Sequence, residues 1–445
     1  MESSTYDAAV IGAGIAGLTV TWRMLRAGMK VICLEADSEA GGCVRTDRMH
    51  GYVCERGAQN VLEEPHGPVS RLAQDLGITG EMQPAQQEGN FIASTGRLFA
   101  MPSQLHRLLS VKGSLRAGRG LVARAEPQQG EQPVAEWMRR RFGDEFARRV
   151  ADPMVSGVYA GDPERLSLDA TFPAVRDLER AHSRLLLGAF RIKPAKRLVY
   201  TFRNGMGTLA ESLARSIGPT LRTGVRVAGI SAGANGSYRI DGCGGIAAKT
   251  VILATPATIA AEMLRGLDPA LAQLLGSIRS APVVSASLAF SVADLTGPAP
   301  KGYGLVRPYC EGSRLLGCLF SSSAFKEFSP PGTVLIRIIA GGARDPEAVR
   351  LSDEALADLA IHELGLTLRI KADAKPVFFR AVRHSPGLPQ YELAHLGRVQ
   401  EIEQAAAHLP GIHFTGNSYR GLSVSKVVEQ AENLSNRMLR VRAAA

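Results

Sequence analysis

Cysteine is scarce and scattered. Six residues, Cys33, Cys43, Cys54, Cys243, Cys310 and Cys318, are spread through 445 positions with no CxxC pair and no even-spaced framework. A disulfide scaffold and a structural zinc ribbon are therefore excluded as organising principles, and a reducing compartment fits best. None of the nine histidines stands in an HExxH or forms a close pair on one helical face, so no metal centre is expected. No apolar run reaches 18 residues, so no segment is expected to span a bilayer. Met1 to Ile11 contains neither a basic n-region nor a cleavage site and does not read as a secretory signal. There is no P-loop, and Gly421 to Ser425 lacks the closing glycine of a GxSxG nucleophile elbow.

What is present is a globular composition, 45% hydrophobic and 21% charged, long enough for two or three cooperating domains. Forty-seven glycines against 24 prolines indicate many tight turns. The net charge of +10 favours an anionic partner. An apolar run at Ala8–Ile11, a helical pattern from Ile15 to Arg26 closed by Gly28, and a second run at Val31–Leu34 predict a βαβ unit. A second α/β block is expected at Gly205–Ile217 (helix), Val225–Ile230 (strand) and Thr250–Ala254 (strand), returning the chain to the first sheet. Between these blocks Val134, Met138, Phe142, Phe146 and Val150 recur every four residues, as one helix face does. Val283-Val284 and Val334 to Ile339, separated by turn clusters, predict an antiparallel sheet. The tail, Ile412 to Arg440, reads strand, glycine-containing loop, then a helix through Val427, Val428, Ala431, Leu434 and Met438.

Gly12-Ala13-Gly14-Ile15-Ala16-Gly17 is a GxGxxG between the first strand and the first helix. Gly12 allows the turn, Gly14 lets backbone approach a pyrophosphate, Gly17 lets helix and strand pack closely, and the helix N-terminus offers N–H groups and a positive dipole. Glu35, 18 residues after Gly17 at the end of the next strand, can accept hydrogen bonds from both hydroxyls of a ribose. Gly41-Gly42-Cys43-Val44-Arg45-Thr46 and Glu55-Arg56-Gly57-Ala58-Gln59-Asn60 follow.

These stretches resemble the FAD-binding start of the flavin amine oxidase superfamily, and within it the chain resembles the protoporphyrinogen oxidase family over nearly its full length. Supporting stretches are Val158 to Pro163, Thr201 to Leu209, Gly341 to Arg344, Leu388 to Tyr391 and Thr415 to Val424. The resemblance implies FAD contacts at Gly12, Gly14, Ile15, Ala16, Gly17, Glu35, Ala36, Gly42, Arg45, Gly57, Ala58, Gln59 and Asn60. It also implies Val227 for the adenine, and Gly416, Ser423, Val424 and Ser425 near the isoalloxazine. If Ser425 starts the last helix, that helix's dipole faces the ring edge where negative charge gathers on reduction. The sequence departs from the family after Val424, with Ser425-Lys426-Val427-Val428, and after the middle Leu-Glu, with Ala181-His182-Ser183-Arg184. Lys426 is either a solvated side chain or a charge tuning the flavin.

The positive excess is localised. Arg97, Arg107, Lys112, Arg116, Arg119 and Arg124 lie in an acid-free window from Gly89 to Ala125, interleaved with leucines, and seven more basic residues lie in another between Arg180 and Ala210. Two readings stay open for this layer: attachment to an anionic membrane surface, or a solvated basic face. Nucleic acid is not expected, because interleaved aromatics and groove-reading modules are missing. Arginines also suit the propionates of a porphyrinogen. Arg97 is a candidate for such a contact at an arginine-rich entrance, Phe99 stands by alignment where some relatives of the resembled family have a basic residue, and the resemblance implies Leu305, Phe325 and Ile339 as pocket walls.

The expected fold is α/β plus α+β, in three parts. A Rossmann-like FAD-binding domain takes residues 1–82, 205–280 and 395–445. An antiparallel-sheet substrate domain takes 83–97, 186–204 and 281–394, and a helical domain with the two readings above takes 98–185. The implied activity is FAD-dependent oxidation of protoporphyrinogen IX to protoporphyrin IX with molecular oxygen as acceptor; coproporphyrinogen III is the alternative substrate. More distant alternatives are an amine oxidase, a carotenoid desaturase or a non-catalytic escort protein. Amine oxidases often place a lysine beneath the flavin on a central strand, and Val283 to Leu288 contains none. The expected location is cytoplasmic, at most peripheral on the inner membrane face, and the oligomeric state stays open.

Overall fold

The computed structural model describes residues 4–86, 89–124, 130–181 and 197–444. The opening βαβ unit consists of β1 (Ser4–Ile11), α1 (Ile15–Arg26) and β2 (Val31–Leu34), the strands parallel. Ala8–Ile11 and all of β2 are buried, which is why both read as unbroken apolar runs rather than alternating ones. Gly28, at φ +73°, supplies the left-handed residue that ends α1. A hairpin, β3 (Thr46–Met49) and β4 (Tyr52–Glu55), is followed by β5 (Val61–Glu63), α2 (Pro68–Asp75) and β6 (Met82–Pro84). A second hairpin, β7 (Asn90–Ser94) and β8 (Arg97–Met101), starts the other large sheet.

The helical layer holds α3 (Val111–Val122), α4 (Val134–Phe142), α5 (Asp152–Tyr159) and α6 (Pro173–Ala181). The five apolar residues expected along one helix face all pack inward, but the helix is interrupted. Gly143, at φ +92°, ends α4, and a short turn and a π-helical stretch, Ala147–Ala151, carry the chain into α5. The departure at His182–Arg184 and the basic residues Arg191, Lys193 and Lys196 lie outside the described residues.

β9 (Leu198–Phe202) pairs with β5 and β6. After α7 (Gly207–Ile217), β10 (Leu221–Arg222), β11 (Gly229–Ala232), β12 (Tyr238–Asp241) and β13 (Ile246–Leu253) return to the first sheet. The strand expected from Val225 begins only at Gly229, because Val225 N donates to Glu35 O at 2.8 Å and ties that stretch to the end of β2. α8 (Ala257–Leu264) and α9 (Pro269–Gly276) cover this sheet.

The second sheet adds β14 (Ser280–Ser291), β15 (Gly304–Val306), β16 (Leu315–Leu319), β17 (Thr333–Gly341) and, after α10 (Asp353–Leu368), β18 (Phe378–Pro389). Its order is β18-β14-β17-β16-β15-β7-β8. One face is a core against α10, built from Val284, Ala286, Leu288, Ile336, Ile338, Leu356 and Leu364. The alternation of the strands turns Ser285, Ser287, Arg337 and Ile339 to the other face. The chain ends with α11 (His395–Ala407), β19 (Ile412–Phe414), which joins the first sheet beside β13, and α12 (Val424–Ala444), which lies in one core with α1. The architecture is the mixed α/β and antiparallel arrangement expected from the sequence.

Candidate active site and cofactor cradle

The parallel strands β1, β2, β13 and β19 all end at one edge of the first sheet. At that edge stand Gly12, Glu35, Thr255, Thr415 and Gly416, the place where open parallel sheets bind ligands. Gly17 has no room for a side chain, since a Cβ would meet Gly12 O at 1.9 Å; Gly14 and Gly416, in contrast, face open space. The N-terminus of α1 has no side-chain cap and no acid in its first turn, so its N–H groups are available to a phosphate. The hydroxyls of Thr255 and Thr415 and Gln59 Nε2 are buried without a hydrogen-bond partner. Buried polar atoms in proteins are as a rule hydrogen-bonded, and these three line the same edge and the Gly57–Asn60 segment. Together they form a cradle that fits a dinucleotide.

Glu35 Oε2 accepts from Ala13 N at 2.7 Å and Oε1 from Asp37 N at 2.9 Å. The carboxylate thus braces the glycine turn while each oxygen keeps lone-pair capacity for a ribose hydroxyl. Ala36 follows it, and Val227 sits just beyond the Val225–Glu35 tether, half-buried in the same core. Arg45 is held across its own loop, Nε donating to Gly42 O at 2.8 Å and Nη2 to Asp37 Oδ2 at 2.7 Å. Gly57 lets its segment pass behind the glycine loop, because a Cβ there would meet Cys43 O at 2.2 Å. Ala58 packs on the first core. Asn60 Oδ1 accepts from Tyr303 OH, and Gln59 Oε1 accepts from Ser321 Oγ at 3.1 Å, which joins this segment to the second sheet.

Val424 and Ser425 open α12. Ser423 Oγ accepts from Lys426 N at 3.2 Å, as an N-terminal cap does. Ser425 Oγ donates to Glu63 Oε2 at 2.8 Å, and the same buried carboxylate accepts from Ser70 N at 2.8 Å and Tyr200 OH at 2.7 Å. Burial works against ionisation of Glu63, but these hydrogen bonds outweigh it and hold the carboxyl below its ordinary range. The positive end of α12 therefore already faces a carboxylate. Lys426 is a solvated side chain, 62% exposed and paired with Glu429 at 2.7 Å.

The placement of the substrate residues is a matter of strand phase. By register, Ile339, Val306, Ile92 and Phe99 share the sheet face turned away from α10, while Leu305 faces the α10 core. Phe99 packs with Leu108 and Val150 of the helical layer, and Arg97 is exposed at the end of the β7–β8 hairpin. Phe325 is fully buried with Tyr52, Cys54 and Phe328. Of these five, Ile339 shares a sheet face with Arg337, which lies among polar residues of the Gly42–Asn60 segment.

Those polar residues were not singled out from the sequence. Glu55 accepts from Thr46 Oγ1 and Met206 N, each at 2.7 Å, and burial pushes its carboxyl up to about 7. Asp47 binds Arg56 and Arg380; burial opposes its ionisation, but these arginines overcome that and hold it low. His384 meets Arg56 O at 2.7 Å. Arg337 projects from β17 at 4% exposure. A lone arginine within the apolar run Val334 to Ile339 was the available signal.

The flavin-containing amine oxidoreductase family model matches residues 15–439. The chain belongs to that family. Its curated relatives include the chloroplastic protoporphyrinogen oxidase of Nicotiana tabacum, 28% identical with 97% of this chain and 85% of the relative covered. The coproporphyrinogen III oxidase of Bacillus subtilis (strain 168) is 27% identical, with 97% of each covered. Among solved structures, one from Exiguobacterium sp. 255-15, provisionally assigned as a protoporphyrinogen oxidase, shares the fold at TM-score 0.84 and 23% identity, over 98% of this chain and 99% of that one. The flavin amine oxidase resemblance read from the motifs is thus borne out, and this member of the family is an FAD-dependent oxidoreductase.

Proposed function

We propose that this flavoprotein oxidises a porphyrinogen to the corresponding porphyrin, with protoporphyrinogen IX as the preferred substrate and oxygen as the electron acceptor. The observation that carries the reading is the similarity over 97% of the chain to relatives named for porphyrinogen oxidation. FAD supplies the two-electron oxidation. Gly14, Gly42 and the open end of α1 hold the dinucleotide, Glu35 fixes its ribose, and the Gly57–Asn60 segment braces the site against the second sheet. Because the cofactor does the oxidation, no acid–base pair is needed, and the protein's work is orientation and exclusion of water. The coproporphyrinogen III relative, covered over 97% of both chains, keeps that substrate as the second reading. Exposed arginine–carboxylate contacts contribute at most about 1 kcal/mol each, so both compounds are expected to turn over. Anaerobic mixing with each porphyrinogen should bleach the flavin, and admission of oxygen should restore it as porphyrin fluorescence appears. Failure with both compounds, alongside turnover of an amine or a polyene, would remove the porphyrinogen reading.

The proposed setting is cytoplasmic, with reversible contact to an anionic membrane surface through α3. No helix among the described residues is long and apolar enough to cross a membrane. On α3, Val111, Leu115 and Val122 are 79%, 71% and 52% exposed, spaced along one stripe beside Lys112, Arg116 and Arg119.

A further inference from the structure

Arg337 is buried, yet among the described residues it has no ion-pair partner. Its Nη2 donates to Ser285 Oγ at 3.1 Å on the neighbouring strand β14, and its Nε has no hydrogen-bond partner. A buried guanidinium with no hydrogen-bonded carboxylate carries an uncompensated desolvation cost. Glu55 acts on it through space, but the carboxylate's hydrogen bonds go to Thr46 and Met206. Arg337 also shares its surroundings with Cys43 and Tyr303, the latter bonded to Asn60. Cys43 itself stands exposed on the glycine loop. The guanidinium thus belongs to the wall facing the Gly42–Arg45 and Gly57–Asn60 segments.

A charge preserved at such cost is offset when an anion arrives. FAD brings negative charge at its diphosphate and, after taking two electrons, on its ring system. The diphosphate is served by the N-terminus of α1 at the edge of the first sheet; Arg337 lies on the second sheet. The other positive element expected at the ring, the start of α12, already has Glu63 against it.

We propose that Arg337 is the positive charge that stabilises the two-electron-reduced flavin ring, so that this side chain, rather than the α12 dipole, raises the reduction potential of the bound cofactor. The inference rests on FAD binding and not on the identity of the substrate. Its test is the midpoint potential of the bound flavin, read against a reference dye, together with the affinity for sulfite, whose sulfur lone pair adds to the oxidised ring and leaves it anionic. Arg337→Met should weaken sulfite binding at least tenfold and lower the potential by about 30 mV or more, the equivalent of a tenfold change for a two-electron couple. The double variant Arg337→Met with Ser285→Lys, which returns a cation one strand away, should recover most of both losses. Arg337→Gln takes the place of Arg337→Met if the latter does not fold. A neutral variant that retains FAD with unchanged potential and sulfite affinity overturns the proposal. So does a loss that the relocated lysine leaves uncorrected in an FAD-loaded protein. A raised KM for porphyrinogen with the potential unchanged would also overturn it, leaving Arg337 as a substrate contact.

Discussion

His395 is fully buried, stacks on Tyr391 with ring centroids 4.1 Å apart, and meets Tyr419 O through Nε2 at 2.9 Å. Burial, with Arg398 and Arg420 adding to it against the Tyr419 hydrogen bond, lowers its pKa to about 4. An unfolded histidine titrates near 6.5. Between those values the unfolded chain binds the extra proton, so the stability contributed by neutral His395 is full above about pH 6.5 and is lost as pH falls toward 4. The difference in urea midpoint between wild type and His395→Phe should therefore narrow over that interval; a constant difference would show that His395 does not titrate this way. Glu35 makes a second case at this scale. Removing its charge-assisted hydrogen bonds in Glu35→Ala should cost about 1.5–3 kcal/mol, about tenfold to a hundredfold in FAD affinity. Unchanged retention of FAD in that variant would count against a ribose contact.

Helix α1 meets β1 closely enough that the two depend on one glycine. In Gly17→Ala the added methyl would collide with Gly12 O, which should destabilise the protein by about 1–3 kcal/mol and release FAD before the chain unfolds. A thermal melt followed by flavin fluorescence and by circular dichroism separates those events, and coincident transitions would refute that order. This contact was legible in the sequence because GxGxxG, the flanking apolar runs and Gly28 all specify the same turn. The helix ending at Gly143 was not, since the four-residue spacing of Val134 to Val150 continues through the break and hides it. The setting of Arg337 gives no such local signal for a related reason: β-branched neighbours define the strand, while Cys43 and Glu55 in its surroundings come from segments nearly three hundred residues earlier. The phase of Leu305 likewise depends on pairing with β7 and β16, which a local pattern does not reveal. Element α3 carries its own expectation. Val111, Leu115 and Val122 changed together to serine should abolish binding to anionic vesicles, and wild-type binding should fall as salt rises; equal binding to neutral vesicles, or none to either, would exclude that role.

Across the whole molecule, separated motifs meet to join the helical layer to both sheets. Arg344 Nη1 donates to Asp152 Oδ2 at 2.9 Å, Ala343 N bonds Ala160 O, Gln390 Nε2 reaches Tyr159 O at 3.0 Å, and Tyr391 OH reaches Asn417 O at 2.6 Å. Arg344→Met leaves the half-buried Asp152 unpaired and should cost about 1–3 kcal/mol in urea unfolding, with amide exchange rising in α5 more than in β1. Equal increases in both would show that the contact does not act as a local clamp. The order of the first sheet bears on how the protein is made. Its strands come from residues 4–34, 221–253 and 412–414, and α12 buries the apolar side of α1, about four hundred residues before it in the chain. Throughout most of translation the glycine turn has emerged, but β19 and α12, which complete its surroundings, have not. The surroundings of the glycine turn are therefore complete only once β19 and α12 have been made, and a nascent chain halted before Ile412 should carry every residue from Gly12 to Asn60 and still fail to hold FAD.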